Sequence, residues 1–299
     1  MKVLVTGASG LIGTALLPLL TTGGHTAVPL ARKDRPAAGL GAWWDPATGE
    51  VSTEALRGAS AVVHLAGENI AGGRWTDARK AAIRESRVAG TRKLAEALAK
   101  SGARPPVFVC ASAIGFYGDR GDAPLDEDDP PGEGFLSEVC RGWEAASEPL
   151  AAAGTRVVHL RFGIVLSPSG GALAKMLTPF KLGAGGVIGS GTQYMSWIAI
   201  DDLVGSIRHA LVTDSLSGPV NVTAPNPVTN REFTRTLGRV LGRPTIAPLP
   251  AFAARLAFGE MADALLLSST RVEPRKLLAT RYTFRHPDLE EALRHLLGR

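Results

Sequence analysis

Three glycines near the amino terminus, Gly7, Gly10 and Gly13, have a spacing that suits nucleotide binding. Residues 2–6 before them predict a short apolar strand, and the apolar run from Leu11 predicts a helix. Between a strand and a helix, such glycines permit a tight turn, let backbone approach a pyrophosphate, and allow the helix to pack on the strand. The amino terminus of the helix then presents N–H groups to the phosphates. The pattern predicts a dinucleotide-binding turn.

A basic residue, Arg32, follows the second predicted strand, residues 26–30. In a dinucleotide-binding fold, a carboxylate at this place accepts hydrogen bonds from the adenosine ribose, whereas a basic residue accommodates a 2′-phosphate. Arg32 therefore favours NADP(H) over NAD(H). The alternative is an ordinary solvated loop arginine.

Two hydroxyls could act on a substrate near the nicotinamide. Ser112 ends a predicted strand, residues 106–112, and Tyr117 follows in a glycine-flanked turn. Ligands of open α/β sheets bind outside the carboxyl ends of the strands. The two hydroxyls could therefore bind a carbonyl oxygen, with Arg161 or Lys175 supplying positive charge. The alternative is structural: Tyr117 packs a turn and Ser112 satisfies backbone at a strand end.

The elements that would position these residues alternate between strand and helix over the first 165 residues, which predicts an α/β Rossmann fold with a doubly wound parallel sheet. The strand predicted over 61–67 ends in small residues beside the expected cofactor, and its His64 is interpreted as a packed core histidine. Helices are predicted over 77–101 and 136–153, and a further strand over 155–160.

Glycine-rich loops and capped helices replace this alternation after residue 165. We therefore predict an NADP-binding Rossmann domain, residues 1–165, to which residues 195–212 return. Residues 166–194 and 213–299 would form a smaller carboxyl-terminal α/β substrate domain with a helical end, closing over the nicotinamide. Thr229 with Glu232, and Asp288 with Glu291, have the spacing of helix capping boxes.

Composition excludes several other classes of protein. The 299 residues carry a net charge of +5, from 33 basic and 28 acidic residues, without a basic block for nucleic acid. Cys110 and Cys140 lack metal-site spacing, so no metal is predicted, and a reduced intracellular setting is expected. The immediate start of a core strand and the lack of a long apolar run predict a cytoplasmic protein without a signal peptide or a membrane partner.

Several motifs together resemble an atypical branch of the extended short-chain dehydrogenase/reductase superfamily, often labelled an epimerase or nucleoside-diphosphate-sugar epimerase family. The motifs span the chain, and they are residues 6–13 (TGASGLIG), 64–70 (HLAGENI), 74–75, 86–87, 113–118 (AIGFYG), 197–202 (WIAIDD) and 282–293 (YTFRHPDLEEAL). The resemblance implies NADP(H) as cofactor.

The resemblance also implies which residues bind the cofactor. At the pyrophosphate it implies the turn residues Gly7, Ser9, Gly10, Leu11, Ile12 and Gly13. Elsewhere it implies Arg32 at the 2′-phosphate, Leu65, Ala66 and Gly67 on the adenosine side, Arg87 reaching in from a helix, and Ser112, Tyr117 and Arg161 at the nicotinamide end.

The catalytic pair of that superfamily, Tyr-x-x-x-Lys, is missing. None of Tyr117, Tyr194 and Tyr282 has a lysine four residues on, and Phe135 or Leu136 replaces the usual tyrosine. A lysine matters because a nearby ammonium brings the phenol pKa of about 10 toward neutrality.

Two functions therefore stay open. One is an NADP(H)-dependent oxidoreductase or epimerase that acts, as monomer or homodimer, on a carbonyl or sugar-nucleotide-like small molecule, with Ser112 and Tyr117 as catalytic residues. The other is a non-catalytic NADP(H)-binding regulator or redox sensor.

Overall fold

The computed structural model describes residues 1–34 and 42–299. The strands are β1 Lys2–Thr6, β2 Thr26–Arg32, β3 Trp43–Trp44, β4 Ala61–His64, β5 Val107–Ala113, β6 Pro124–Leu125, β7 Arg156–Phe162, β8 Ile164–Ser167, β9 Tyr194–Met195, β10 Trp197–Ala199, β11 Gly218–Val222, β12 Val228–Thr229 and β13 Arg271–Val272. The helices are α1 Leu11–Thr22, α2 Thr53–Leu56, α3 Asp77–Arg84, α4 Gly90–Lys100, α5 Phe135–Ala145, α6 Glu148–Ala152, α7 Gly171–Lys181, α8 Ile200–Val212, α9 Asn230–Leu241, α10 Ala251–Phe258, α11 Glu260–Ala262, α12 Arg275–Ala279 and α13 Leu289–Leu297.

A seven-stranded parallel sheet forms the centre of the part of the chain that the structure describes, in the order β11-β7-β5-β4-β1-β2-β3. The chain runs outward from β1 to β3 and then crosses back to β4 on the other side. Adjacent β1 and β4 therefore mark the point where the strand order reverses, and such points open a ligand crevice at the carboxyl ends of the strands. The predicted doubly wound Rossmann sheet is confirmed.

The central strands of this sheet are apolar and are buried on both faces. Residues 3–5 of β1 and 61–63 of β4 are fully buried, and α1 adds Leu16 and Leu20 to the same core. Strands covered by helices on both faces are expected to be continuously apolar, as these are. His64 at the end of β4 is fully buried, as predicted, and burial lowers its pKa to about 4.

A second hydrophobic core lies in the carboxyl-terminal part of the chain. It is built from α7, α9 and α13 around Trp197 and Phe233. The segment 198–211 instead contributes Ile198, Leu203 and Ile207 to the core of the large sheet. The division of the chain at residue 165 into two domains stays a prediction.

Some predicted boundaries differ in the structure for local reasons. A π-helical turn, Glu85–Ala89, interrupts the helix predicted over 77–101. The helix predicted over 136–153 divides into α5 and α6 because Pro149 lacks the N–H that a continuing helix needs. The strand predicted over 61–67 ends at His64.

One of the two predicted capping boxes is confirmed. Thr229 and Glu232 exchange both hydrogen bonds of the box at the start of α9. The box predicted at Asp288 was wrong, since this side chain makes no capping bond and accepts a hydrogen bond from Asn226 Nδ2 at 3.2 Å instead.

Among the described residues, none of the helices combines the length and the apolar character that crossing a bilayer requires.

Candidate cofactor and active site

The turn between β1 and α1 packs directly on the end of β4. Gly7 has a φ of +67°, and a Cβ there would lie 2.7 Å from the carbonyl carbon of Leu65. A Cβ on Gly13 would lie 2.5 Å from the carbonyl oxygen of Gly7. Both distances are far below a normal contact, so these positions require glycine.

The amino terminus of α1 is open to a ligand. Gly10 at its start provides no side-chain cap, and the described first turn contains no acidic residue. Ser9 and Gly10 are exposed, whereas Leu11 and Ile12 are half-buried. The free N–H groups and the helix dipole therefore favour an anion here. Together with the tight glycine turn, this terminus fits a dinucleotide pyrophosphate.

Thr6 fixes the opposite wall of this crevice. Its hydroxyl accepts hydrogen bonds from the backbone N–H groups of Leu65 at 3.2 Å and Ala66 at 3.3 Å, and it lies 2.7 Å from His64 Nδ1. These bonds hold the backbone of residues 65 and 66 against the end of β1, where the chain leaves β4 after His64. Leu65 and Ala66 are half-buried beside the glycine turn, and Gly67 after them is exposed.

Arg87 supports the same segment from the π-helical turn. Its Nη1 donates to the carbonyl oxygen of Glu68 at 2.9 Å, and its guanidinium lies 5.0 Å from the Trp143 ring centre. A Cβ on Gly67 would lie 3.4 Å from this guanidinium. The predicted cofactor residue Arg87 thus lies next to the predicted Gly67.

Arg32 stands at the carboxyl end of β2 with an exposed side chain. Its Nε lies 3.7 Å from Asp34 Oδ1. An exposed ion pair of this kind contributes less than about 1 kcal/mol, so it does not hold Arg32 away from an incoming phosphate.

A buried polar network joins the two predicted catalytic residues. Ser112 Oγ donates to Glu144 Oε1 at 2.7 Å, and Arg161 makes two bonds to the same carboxylate, at 2.8 and 2.9 Å. Arg161 Nη1 also donates to the Tyr117 hydroxyl at 2.9 Å. Ser112 is 2% exposed and Arg161 is 3% exposed. Glu144 and Arg161 therefore connect two hydroxyls that would otherwise stand apart.

The Tyr117 hydroxyl is fully buried and surrounded by partners. Besides accepting from Arg161, it donates its one proton toward two acceptors, Asn221 Oδ1 at 2.7 Å and the carbonyl oxygen of Asp126 at 2.8 Å. Burial raises the pKa of Tyr117 to about 12, although Arg161 acts in the opposite direction. The phenol therefore keeps its proton at neutral pH.

Phe135 or Leu136 stands at the position of the usual tyrosine, and the residue four positions on is accordingly Val139 or Cys140. Leu136 lies against Gly115, where an added Cβ would come within 3.2 Å of the Leu136 Cβ. Cys140, four residues on in α5, is 3% exposed, and burial raises its pKa to about 12. A neutral thiol supplies no cation, so Cys140 does not replace the lysine.

Sequence reasoning missed Glu144 and Asn221. Glu144 follows Leu136 and Cys140 at intervals of four residues, so all three lie on the α5 face that meets the sheet. That spacing was the signal in the sequence from which Glu144 could have been placed near the site. Asn221 is placed by the pairing of β11 with β7, opposite Arg161, and no local pattern indicates this.

The two residues predicted to supply positive charge, Arg161 and Lys175, both make hydrogen bonds to other groups of the protein. Arg161 is paired with Glu144, and Lys175 Nζ donates to the carbonyl oxygen of Ala71 at 2.8 Å. The structural alternative for Ser112 was wrong in one respect, since its hydroxyl binds a carboxylate instead of backbone. That Ser112, Tyr117 and Arg161 meet a substrate or cofactor stays a prediction.

Comparisons with known proteins show the family of this chain. The model of the NAD dependent epimerase/dehydratase family matches residues 3–222, and a domain of unknown function, DUF1731, matches residues 249–296. "Epimerase family protein Mb2239" of Mycobacterium bovis is 44% identical over 291 residues, which are 97% of this chain and 96% of the relative.

Two solved structures have the same fold over the whole chain. The human epimerase family protein SDR39U1, crystallised with NADPH, superposes with a TM-score of 0.91 at 38% identity, covering 100% of both chains. The nucleoside-diphosphate sugar epimerase from Corynebacterium glutamicum has a TM-score of 0.82 at 42% identity, over 100% of this chain and 58% of its own. The cofactor of the human protein is the one that Arg32 predicts here. This chain belongs to the NAD dependent epimerase/dehydratase family.

Proposed function

We propose that this protein binds NADP(H) in the crevice between the ends of β1 and β4. The observation that carries the proposal is the glycine turn, where Gly7 and Gly13 leave no room for a side chain. The turn and the open α1 terminus would hold the pyrophosphate, and Arg32 would hold the 2′-phosphate. The human relative crystallised with NADPH supports this choice of cofactor.

We further propose that the protein is an NADP(H)-dependent oxidoreductase or epimerase for a carbonyl or sugar-nucleotide-like small molecule. NADPH, when bound, would supply hydride chemistry at the carbonyl carbon, and the carbonyl oxygen would take up a proton that water finally replaces on the donor. Ser112 and Tyr117, at and after the end of β5, are the proposed donors to that oxygen. Because the Tyr117 pKa is about 12, the phenol can donate a proton and cannot serve as a base near neutrality.

The second candidate is a non-catalytic NADP(H)-binding regulator or redox sensor. It is favoured by the protein partners of both hydroxyls. It is also favoured by the dyad positions, which hold apolar Phe135 or Leu136 followed by Val139 or neutral Cys140. A substrate oxygen would have to displace those partners before it reached either hydroxyl.

One experiment separates the candidates. NADPH and NADH affinities are measured by calorimetry, and NADPH oxidation is then followed with a panel of carbonyl compounds and sugar nucleotides. The sugar nucleotides are also incubated with NADP⁺ and analysed for epimers, because an epimerase causes no net oxidation of its cofactor. Tight NADPH binding with substrate-dependent oxidation or epimer formation supports the enzyme. Tight binding without either across the panel favours the regulator, and equal affinity for both cofactors contradicts the NADP(H) assignment.

Arg32→Asp is expected to weaken NADPH binding about 10- to 100-fold, because a charge-assisted hydrogen bond contributes about 1.5–3 kcal/mol and the new carboxylate repels phosphate. NADH binding should change less than about threefold, because NADH lacks the 2′-phosphate. Arg57→Asp is the matched control, since Arg57 carries the same exposed charge but lies before β4 at the opposite end of the strands, where Lys2 Nζ donates to its carbonyl oxygen at 2.8 Å. Equal losses for both cofactors in Arg32→Asp would contradict the assigned role.

Tyr117→Phe and Ser112→Ala test the hydroxyl pair. If the hydroxyls donate to a developing oxyanion, each variant should lower turnover about 10²- to 10³-fold with NADPH affinity unchanged. Tyr194→Phe is the matched control, because Tyr194 lies outside the buried network. Wild-type turnover in both variants would show that the pair is structural.

Alcohol oxidation, the reverse reaction, needs Tyr117 as a base and should therefore become faster as the phenol loses its proton. From an ordinary tyrosine, the sequence predicts this rise in rate toward pH 10, and the burial of Tyr117 moves it toward pH 12.

A further inference from the structure

Three side chains able to bind a metal meet outside the cofactor crevice. They are Asp201 in the first turn of α8, His286 in the segment before α13, and His295 within α13. One ligand atom of each lies within 4.8 Å of the other two. Because Asp201 is far in sequence from His286 and His295, no local spacing indicates the full set, and the fold brings Asp201 to the two histidines.

The distances are close to those that a bound cation requires. His295 Nε2 lies 3.3 Å from Asp201 Oδ2, and the rings of His286 and His295 stack with centres 4.2 Å apart and planes inclined by 24°. In a tetrahedral zinc site with bonds of about 2.0–2.1 Å, the ligand atoms lie about 3.3 Å apart. Asp201 Oδ2 and His295 Nε2 already have that separation. Because the lone pair of an imidazole nitrogen lies in the plane of its ring, two stacked rings do not point at one cation, so the His286 ring has to turn out of the stack to bind with the other two.

The backbone around the site is fixed by the residue next to Asp201. Asp202 is fully buried, and its carboxylate accepts hydrogen bonds from the N–H groups of Arg285 at 2.8 Å and His286 at 2.9 Å. The hydroxyl of Tyr282 donates to the same carboxylate at 3.1 Å. His286 therefore has a defined position relative to α8 in the absence of a cation.

The backbone of His295 is positioned by the packing of α13, although its side chain is exposed. Leu289 and Leu293 of this helix are buried in the second hydrophobic core. The His295 ring therefore meets both other candidate ligands, Asp201 Oδ2 at 3.3 Å and the His286 ring with 4.2 Å between ring centres.

We propose that Asp201, His286 and His295 bind one divalent transition-metal cation, with Zn²⁺ as the probe that fits best. Imidazole nitrogens suit zinc, nickel and copper, whereas Mg²⁺ and Ca²⁺ prefer oxygen ligands. Three protein ligands leave a fourth position for water. The cation would join α8, which packs on the central sheet, to the carboxyl-terminal helix, and so stabilise the contact between the two hydrophobic cores.

The test is a Zn²⁺ titration of the full chain, free of affinity-tag histidines, in metal-free buffer with a competing chromophoric chelator. One Zn²⁺ per chain is expected. His286→Ala and His295→Ala should each weaken binding at least about 100-fold, since losing even an outer-shell partner costs 10- to 100-fold. Asp201→Asn should also weaken it, and Mg²⁺ should not compete. Zn²⁺ should raise the melting temperature of the wild type and not that of His295→Ala.

His25→Ala is the matched control, because His25 lies near the amino-terminal amine and could form a rival site. It should bind Zn²⁺ like the wild type. Unchanged melting temperatures without metal would show that the variants keep the fold. The proposal is overturned if His286→Ala and His295→Ala bind Zn²⁺ as tightly as the wild type, or if only His25→Ala loses binding.

Discussion

Gly13→Val is expected to abolish NADP(H) binding. A Cβ at this position would lie 2.5 Å from the Gly7 carbonyl oxygen and 2.6 Å from the Ala8 Cα, and both of these atoms belong to backbone that has no freedom to yield. The first turn of α1 would have to move away from β1, and its N–H groups would no longer point at the pyrophosphate. We expect affinity to fall by at least about 1,000-fold, since most of the phosphate hydrogen bonds, each contributing about 1.5–3 kcal/mol, are lost together.

The measurement is an NADPH titration followed by fluorescence or calorimetry. Gly102→Val is the matched control, because a Cβ on Gly102 would meet nothing within 4 Å. A variant that binds NADPH within about threefold of the wild type would contradict the site assignment.

Gly10→Ala keeps the test decisive if Gly13→Val fails to fold. Its Cβ would contact only the Gly7 carbonyl oxygen, at 3.2 Å, so the fold should tolerate it. Gly10 is exposed at the start of α1, so the added methyl group takes up space at the helix terminus that would hold the pyrophosphate. We expect about tenfold weaker NADPH binding with little change in melting temperature. Unchanged affinity in a folded Gly10→Ala protein would place the pyrophosphate elsewhere.

The glycine turn could be predicted from sequence because its determinants are local. A strand, three glycines and a helix follow one another within the first 22 residues, and each choice of residue agrees with the next. The burial of His64 was predictable for the same reason, since it lies in an apolar strand. The same locality explains the confirmed capping box at Thr229.

The surroundings of the two hydroxyls could not be predicted because they depend on strand order. Ser112 was correctly expected at a strand end, but its partner Glu144 comes from α5, and Arg161 comes from β7. Asn221 reaches Tyr117 only because β11 pairs with β7 at the edge of the sheet. A sequence pattern shows which face a residue occupies in its own element, and it does not show which elements become neighbours.

Glu144→Gln is expected to destabilise the protein by about 3–5 kcal/mol, because removing one partner of a buried ion pair leaves the other charge uncompensated. Arg161 lies 3.5 Å from the Phe116 ring centre and is almost fully buried, so water cannot replace the lost carboxylate charge. Glu138→Gln is the matched control on the same helix. Glu138 forms an exposed pair with Arg84 at 3.1 Å, and such pairs contribute less than about 1 kcal/mol.

The double variant Glu144→Leu/Arg161→Met should lose less stability than the sum of the two single variants, since it removes both charges at once. Urea denaturation measures all of these differences.

The network also determines how the free energy of unfolding changes as the pH rises. The Tyr117 pKa is about 12 in the folded protein and about 10 when unfolded, so its contribution to stability is complete below pH 10 and is lost as the pH rises toward 12. Removing the Arg161 charge should raise the pKa of Tyr117 in the folded protein further and extend this loss to higher pH.

If Glu144→Gln lowers the free energy of unfolding no more than Glu138→Gln does, the ion pair does not organise the site, and Ser112 and Tyr117 are held by other contacts.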